Sequence, residues 1–180
     1  ASSKGVLLVS AAKNEDNYAL SKANSDGTFT IICHDNGNNG EEGENDPVAF
    51  CYLPVSAVGQ NRLVALGRVN GNATTDVSGG AFTVTKGTTG RWYLNIPGHT
   101  HRTGTLIVSP EGGGANNVDN IVSQDWDDDN GRWIIESRDL PAATLQNMDT
   151  NAEDAFSFAF LAMPASNGTP PVISLNAPQS

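Results

Sequence analysis

Positive charge is scarce in this chain. Ten Lys and Arg stand against twenty Asp and Glu, for a net charge of −10 at pH 7 and a sequence pI near 4.5. With so few cations no basic stripe can be assembled to neutralise a phosphate backbone, which argues against nucleic acid and anionic membrane surfaces as partners. Long hydrophobic runs are also missing. The longest apolar stretch, residues 155–163, is interrupted by Ser157 and falls well short of the roughly 20 residues that cross a bilayer as a helix, so no membrane insertion is expected. Cys33 and Cys51 are the only cysteines, so at most one internal disulfide can form. The opening Ala1-Ser2-Ser3 has neither a charged n-region nor an apolar h-region, as expected of a mature secreted product or a trimmed chain. Together with abundant Asn, Gly, Ser and Thr, this sets the expectation of a secreted, extracellular or cell-surface location.

Strand signals dominate what is there. Val48, Phe50 and Tyr52 alternate with Ala49, Cys51 and Leu53, and Phe156, Phe158 and Phe160 alternate with Ser157, Ala159 and Leu161, the period of two expected of strands. In both runs the bulky aromatics share one face, which is the expected core face. Between these regions lie Leu63-Val64-Ala65-Leu66-Gly67-Arg68-Val69, Gly80-Ala81-Phe82-Thr83-Val84-Thr85 and Arg91-Trp92-Tyr93-Leu94-Asn95-Ile96, with separators Asn70-Gly71, Ser78-Gly79-Gly80 and Thr88-Thr89-Gly90. Those separators are turn chemistry, because Gly and Asn accept positive φ at little steric cost. The pattern predicts about ten to twelve short strands, spaced as in sandwiches and barrels. One helix candidate remains, residues 140–147, with Pro141 in its first turn.

The sequence also echoes itself. Gly5-Val6-Leu7-Leu8-Val9-Ser10, Asp16-Asn17, Gly27 to Asp35 and Asp46 to Leu53 return as Gly104-Thr105-Leu106-Ile107-Val108-Ser109, Asp119-Asn120, Gly131 to Asp139 and Asp154 to Leu161. The offsets are 99, 103, 104 and 108 residues (104 − 5, 119 − 16, 131 − 27 and 154 − 46), so the blocks keep their order while the connections lengthen, as in an aged duplication. The expected fold is therefore all-β: an internally duplicated antiparallel β-sandwich, jelly-roll-like, occupying residues 1–164 as one domain. Repeat one covers about 5–54, bridging strands 62–98, and repeat two about 104–164. Each half is expected to present its phenylalanine ribbon to a shared interior. Residues 165–180 read as a linker, Ala165-Ser166-Asn167-Gly168-Thr169-Pro170-Pro171, followed by a terminal strand, Val172-Ile173-Ser174-Leu175.

The paired blocks resemble a β-rich module that recurs in large secreted, multidomain bacterial proteins. The resemblance covers about residues 5–164 and implies fold and location, with no catalytic residues attached. The Pro170-Pro171-Val172-Ile173-Ser174-Leu175 stretch resembles the first strand of immunoglobulin-like modules in bacterial surface proteins, which implies neighbouring domains of a longer chain. Two other readings of this stretch are an extension that pairs with a neighbouring subunit and an extra strand of the same domain.

Candidate sites are few. Asp125, Asp127 and Asp129 place carboxylates at alternate positions, with Glu136 at position twelve of an EF-hand-like count, an arrangement of hard oxygen ligands suited to Ca²⁺. Asn130 stands where that pattern requires Gly, and an acidic hairpin turn tipped by Asn130-Gly131 explains the same residues. Trp126 in this loop is the candidate platform for a sugar ring. The acidic stretch 35–46 reads as a solvated connection, and the repeated Asp16-Asn17 and Asp119-Asn120 as turn caps. His99 and His101 sit on one side of an extended segment, with His34 as the sole further imidazole for a metal site. Cys33 and Cys51, in strands joined by the 35–45 loop, form either a cross-strand disulfide or two small buried thiols. Asn72 and Asn167 satisfy the N-glycosylation sequon, whose use depends on the organism. Pro110-Glu111-Gly112-Gly113-Gly114 reads as a flexible connection, since no helix follows to make a phosphate loop.

No G-x-S-x-G elbow marks a nucleophile, and no catalytic residues are assigned. The expected function is a non-catalytic structural or adhesive module whose partners are other protein subunits or neighbouring domains, joined by strand addition. It requires no cofactor. The alternative is a calcium-assisted carbohydrate-binding module with glycans as partners, and a hydrolase stands third because acidic residues are plentiful.

Overall fold

The computed structural model describes residues 2–11, 18–35, 42–43, 47–112, 120–139, 144–145 and 155–164. Among them run fourteen strands: β1 (Gly5–Ala11), β2 (Tyr18–Ala23), β3 (Phe29–Asp35), β4 (Glu42–Gly43), β5 (Val48–Pro54), β6 (Leu63–Val69), β7 (Thr75–Gly79), β8 (Thr83–Lys86), β9 (Arg91–Asn95), β10 (Gly104–Glu111), β11 (Asn120–Asp127), β12 (Arg132–Asp139), β13 (Thr144–Leu145) and β14 (Ala155–Ala162). The helical content of the described residues is one 3-10 turn, Val55–Ala57. Twelve strands have four or more residues, while β4 and β13 have two each. The helix expected over 140–147 is not formed at Thr144 and Leu145, which pair with Asp139 and Arg138 of β12. Cross-strand pairing has overridden a weak local propensity there.

The strands form a seven-stranded sheet in the order β4-β3-β2-β10-β14-β6-β7, a five-stranded sheet β11-β12-β9-β8 with β13 beside β12, and the antiparallel pair β1-β5. They stack as an all-β, sandwich-like arrangement. Phe156, Phe158 and Phe160 of β14 face Trp92 and Leu94 of β9 and Trp133 and Ile135 of β12, and all seven are essentially buried. Aromatic edges meet faces in this layer, with Trp92 5.8 Å from Phe156 and Trp133 5.3 Å from Phe160. The opposite face of β14 is covered as well: Ala159 packs with Leu66 of β6, Val77 of β7 and Val6 and Leu8 of β1. Burial on both faces is why Ala155–Ala162 is apolar at every position but Ser157. Gly67 lies opposite Phe158, where a Cβ would come within 2.7 Å of the Phe158 ring and 2.8 Å of the Phe82 ring. Any side chain at that position has to push an aromatic ring aside.

Ladder registers recur at the offsets seen in the sequence. In β1-β5, Leu7 is opposite Tyr52 and Val9 opposite Phe50; in β10-β14, Leu106 is opposite Phe160 and Val108 opposite Phe158. In β2-β3, Tyr18 is opposite His34 and Ala19 opposite Cys33; in β11-β12, Ile121 is opposite Arg138 and Val122 opposite Ser137. Close approaches recur too, since a Cβ on Gly5 would strike Leu53 O and the Tyr52 ring, and one on Gly104 would strike Leu161 O and the Phe160 ring. An edge-to-face pair, Phe29 with Tyr52 at 6.1 Å, stands where Trp133 meets Phe160.

The surroundings of the two ribbons differ, and here the expectation of a shared phenylalanine-lined interior fails. Phe158 is 0% exposed while Phe50 is 66% exposed, and Tyr52 is 37% exposed. The cause lies in the neighbours: β14 is hydrogen-bonded on both sides, to β10 and β6, and roofed by β9 and β12, whereas β5 pairs with β1 alone among the described residues. The cysteines separate for a related reason. β3 pairs with β2 and β4 and not with β5, so Cys33 is buried in one sheet while Cys51 is exposed in another, and no disulfide joins them.

Truncating the two phenylalanines should therefore give unequal losses. Phe158→Ala is expected to cost about 3–5 kcal/mol and Phe50→Ala within about 0.5 kcal/mol in urea unfolding. Comparable losses would contradict the packing described.

Candidate functional site

An edge strand is safe when charge, a bulge or a cover discourages pairing with another chain. Four of the sheet-ending strands here carry such charge: Glu42 in β4, Asp76 in β7, Lys86 in β8, and Asp125 and Asp127 in β11. β5 carries none in Val-Ala-Phe-Cys-Tyr-Leu-Pro, and its outer residues Ala49, Phe50, Cys51 and Tyr52 are exposed. Beside it runs an apolar groove of about 350 Å³, lined by Leu8 of β1, Cys51 and Leu53 of β5, Ile107 of β10 and Leu161 of β14. Ile107 is 38% exposed on its floor. An uncharged strand with exposed aromatic side chains and an adjoining apolar trough offers an extended peptide side-chain anchoring.

A second feature, unseen in the sequence, is a buried charge cluster. Glu111, at the end of β10, is 6% exposed. Its Oε2 accepts a hydrogen bond from Ser157 Oγ at 3.2 Å, and its Oε1 lies 3.4 Å from Arg68 Nε. Arg68 also reaches Asp76 at 3.5 Å and donates to the Ser2 carbonyl at 2.8 Å. Burial raises the Glu111 pKa to about 7, against the partial opposition of Arg68, Ser157 and the Ala23 backbone. The cluster borders a polar cleft of about 490 Å³ whose lining includes Lys22, Asn24, Asp76 and Gly112. Both Glu111 oxygens are engaged by protein groups, so the cluster acts as a cross-link between β10, β6, β7 and β14. The Gly-rich tail of its motif had suggested a flexible connection, and the residues that hold Glu111 come from distant segments, so no local pattern announced it.

The residues singled out in the sequence are placed as follows. Asp127 accepts from Asn130 Nδ2 at 3.0 and 2.9 Å and from Arg132 Nε at 3.1 Å, so its carboxylate closes the β11-β12 turn. Asp125 Oδ1 accepts from the Trp126 amide at 2.8 Å, and Asp128 Oδ1 from Trp126 Nε1 at 3.0 Å; Asp129 lies in the same turn. Glu136 is out of the loop, bound to Arg91 at 2.6 Å and Arg138 at 2.8 Å. Among the described residues no group of three or more His, Cys, Asp or Glu side chains gathers as a metal site. Trp126 is half-buried, its ring 4.6 Å from Trp133 and 5.1 Å from His101. The two imidazoles part company, since His99 packs on Phe160 at 5.1 Å, and the side chain of His34 lies outside the described residues.

Asn72 sits in the β6-β7 turn, where its Oδ1 accepts from the Thr74 amide at 2.9 Å and the Thr74 hydroxyl at 2.6 Å. The β2-β3 turn repeats the same bonds from Thr28 to Asp26 Oδ1, at 2.9 and 2.6 Å, which holds the Asp26 carboxyl below its usual range. Asn167, Asp16, Asn17, Asp119, residues 36–41 and 44–46 of the acidic stretch, and the terminal residues 165–180 lie outside the described residues.

No family model, no curated protein and no solved structure matches the chain.

The charge cluster gives a pH signature with a definite sign. Between the ordinary carboxyl value of 4.5 and about 7, the folded protein keeps the Glu111 proton that the unfolded chain releases. This group's contribution to stability is therefore fully present below the lower value, declines as pH rises through the window, and is constant above it. Glu111→Gln retains an acceptor for Ser157 without a proton to lose. The unfolding free energy of wild type minus that of Glu111→Gln should fall between pH 4.5 and 7 in urea titrations; a difference independent of pH would refute the assignment.

Proposed function

We propose that this chain is a non-catalytic extracellular or cell-surface structural module, built from two copies of one β unit, that joins neighbouring subunits by strand addition along β5. One observation carries this reading: β5 is an uncharged edge strand that pairs with β1 alone among the described residues, yet holds Phe50 66% exposed beside an apolar groove. An exposed hydrophobic edge of this kind is a pairing template, and proteins that must stay monomeric cover it or charge it. The acidic net charge, −10, favours solubility of the subunit while leaving the edge itself free of repulsion. The duplication is supported by the shared registers of β1-β5 with β10-β14 and of β2-β3 with β11-β12.

The calcium-assisted carbohydrate reading is weaker. It needs free carboxylates at Asp125, Asp127 and Asp129 and an open ring at Trp126, and Asp127 is already engaged by Arg132 and Asn130 while Trp126 is packed on Trp133.

Sedimentation velocity over a concentration series tests the proposal. Wild type is expected to shift to larger species as concentration rises. Phe50→Lys should remain monomeric at the same concentrations with stability unchanged to within about 0.5 kcal/mol, because the ring is exposed in the monomer. Association that survives Phe50→Lys rules out β5 as the contact.

A further inference from the structure

We infer that the polar cleft at the seam of the two halves is a saccharide-binding site, in which Lys22 and Asp76, from opposite walls, bond the hydroxyls of one or two sugar rings. The cleft shares no residue with β5 or its groove, so the site goes beyond the joining of subunits.

Two matching turns frame it. In the β2-β3 turn the Asn24 amide donates to Thr28 O at 2.9 Å, and Asn24 Nδ2 donates to Thr28 Oγ1 and Thr30 Oγ1, both at 3.0 Å. In the β6-β7 turn the Asn70 amide donates to Thr74 O at 2.8 Å, and Asn70 Nδ2 to Thr74 Oγ1 at 3.0 Å and Asp76 Oδ1 at 2.9 Å. Asp76 thus stands where the first turn has Thr30, and it brings a carboxylate to the cleft. Lys22 and Asn24 form the wall from β2, Arg68 and Asp76 the wall from β6 and β7, and Glu111 of β10 lies between them in the sheet order. Because side chains within each turn hold it, the walls are set before a ligand arrives, and little ordering entropy is lost on binding.

The groups left over define the ligand. No carboxylate among the described residues pairs with Lys22, so its ammonium donors are available. Arg68 gives one N–H to the Ser2 carbonyl and turns Nε to Glu111 and Nη2 to Asp76, which leaves over two of its five donors. On the acceptor side, the Asp76 side chain is 50% exposed, and Asn24 keeps its Oδ1. A small anion would meet the carboxylates of Asp76 and Glu111, and a cation would meet Lys22 and Arg68. A hydroxyl donates and accepts at once, and a sugar ring carries several on a rigid frame, so it satisfies both walls together. An apolar ligand is excluded by a lining whose one apolar side chain is Ala23. The volume of about 490 Å³ falls in the range of small-molecule sites.

A ¹H–¹⁵N NMR titration of the full chain tests the site. The probes are glucose, galactose, mannose and N-acetylglucosamine, each raised to about 50 mM so that millimolar Kd values are covered, with glycine and acetate as zwitterionic and anionic rivals. At least one sugar is expected to give saturable shifts centred on the amides of Ala23, Asn24, Ser25 and Gly112. Lys22→Met and Asp76→Asn should each raise its Kd about tenfold or more, since each removes a hydrogen bond to a charged group. Asp76→Asn keeps an acceptor for Asn70, and Lys22→Met breaks no ion pair, so both should hold the wild-type urea midpoint; if Asp76→Asn unfolds, Lys22→Met decides. No shift with any sugar, or shifts confined to other parts of the chain, overturns the inference. So does a lower Kd for glycine or acetate than for every sugar, or an unchanged Kd in folded Lys22→Met.

Discussion

The whole arrangement depends on one stack: the Phe156, Phe158 and Phe160 ribbon of β14 pressed against Trp92 and Trp133 on one side and backed by Ala159 and Leu66 on the other. A strand buried on both faces cannot be moved independently of either layer. Gly67 fixes the register of β6 against it, since the Phe158 ring fills the space of the missing side chain. The edge-to-face rings fix the tilt of β9 and β12 above it, because aromatic pairs favour that geometry over sliding face to face. With most of the large buried side chains gathered around one strand, the second half of the molecule carries the greater part of the apolar burial that opposes chain entropy.

The first half has the same ladder frame but no equivalent cover. β6, β7, β8 and β9 all join the sheets of the second half, and among the described residues nothing comparable extends β5. Phe50 and Tyr52 therefore keep the alternation of a core strand on a surface. This asymmetry follows from which half the bridging segment joined, more than from any difference in the two ribbons themselves.

That distinction marks what the sequence could and could not reveal. Period-two alternation showed that Phe50 and Phe158 each lie on the aromatic face of a strand, because pleating is a local property. Whether that face is covered depends on strands supplied from elsewhere, and no local pattern contains that information. β7 was missed for a similar reason: Thr75–Gly79 has Val77 as its single large apolar residue, so it reads as turn until its pairing with β6 is seen. In the Asp125–Asp129 loop, alternate carboxylates suggested a cation, but Arg132 and Asn130, a few residues on, already bind Asp127. Glu111 was the deepest omission, since Arg68, Asp76 and Ser157 are remote in sequence and meet it only after the sheet has formed.

Placing the two halves against each other is a task the apolar contacts perform poorly. The interface of Val6 and Leu8 with Leu66, Val77 and Ala159 is aliphatic and non-directional, and it would tolerate a shift of one layer over the other. The contact of β2 with β10 is a single parallel register pair, Ser21 with Glu111, reinforced by the bond from the Gly112 amide to Ser21 O at 2.9 Å. What removes the remaining freedom is polar and angular. Arg68 donates to the Ser2 carbonyl, the Ser2 amide and hydroxyl bond to Gly27 O and Asn24 O at 2.9 and 3.0 Å, and Glu111 closes the set through Arg68 and Ser157. A buried ion pair adds little net stability, because desolvation offsets much of its attraction, but breaking one partner away leaves a buried charge exposed to a low dielectric. Any slippage of the halves would do that to Glu111 above its pKa of about 7. The cluster thereby selects one relative placement, and in that placement Ile107 and Leu161 lie beside β5 and complete the apolar groove that it borders.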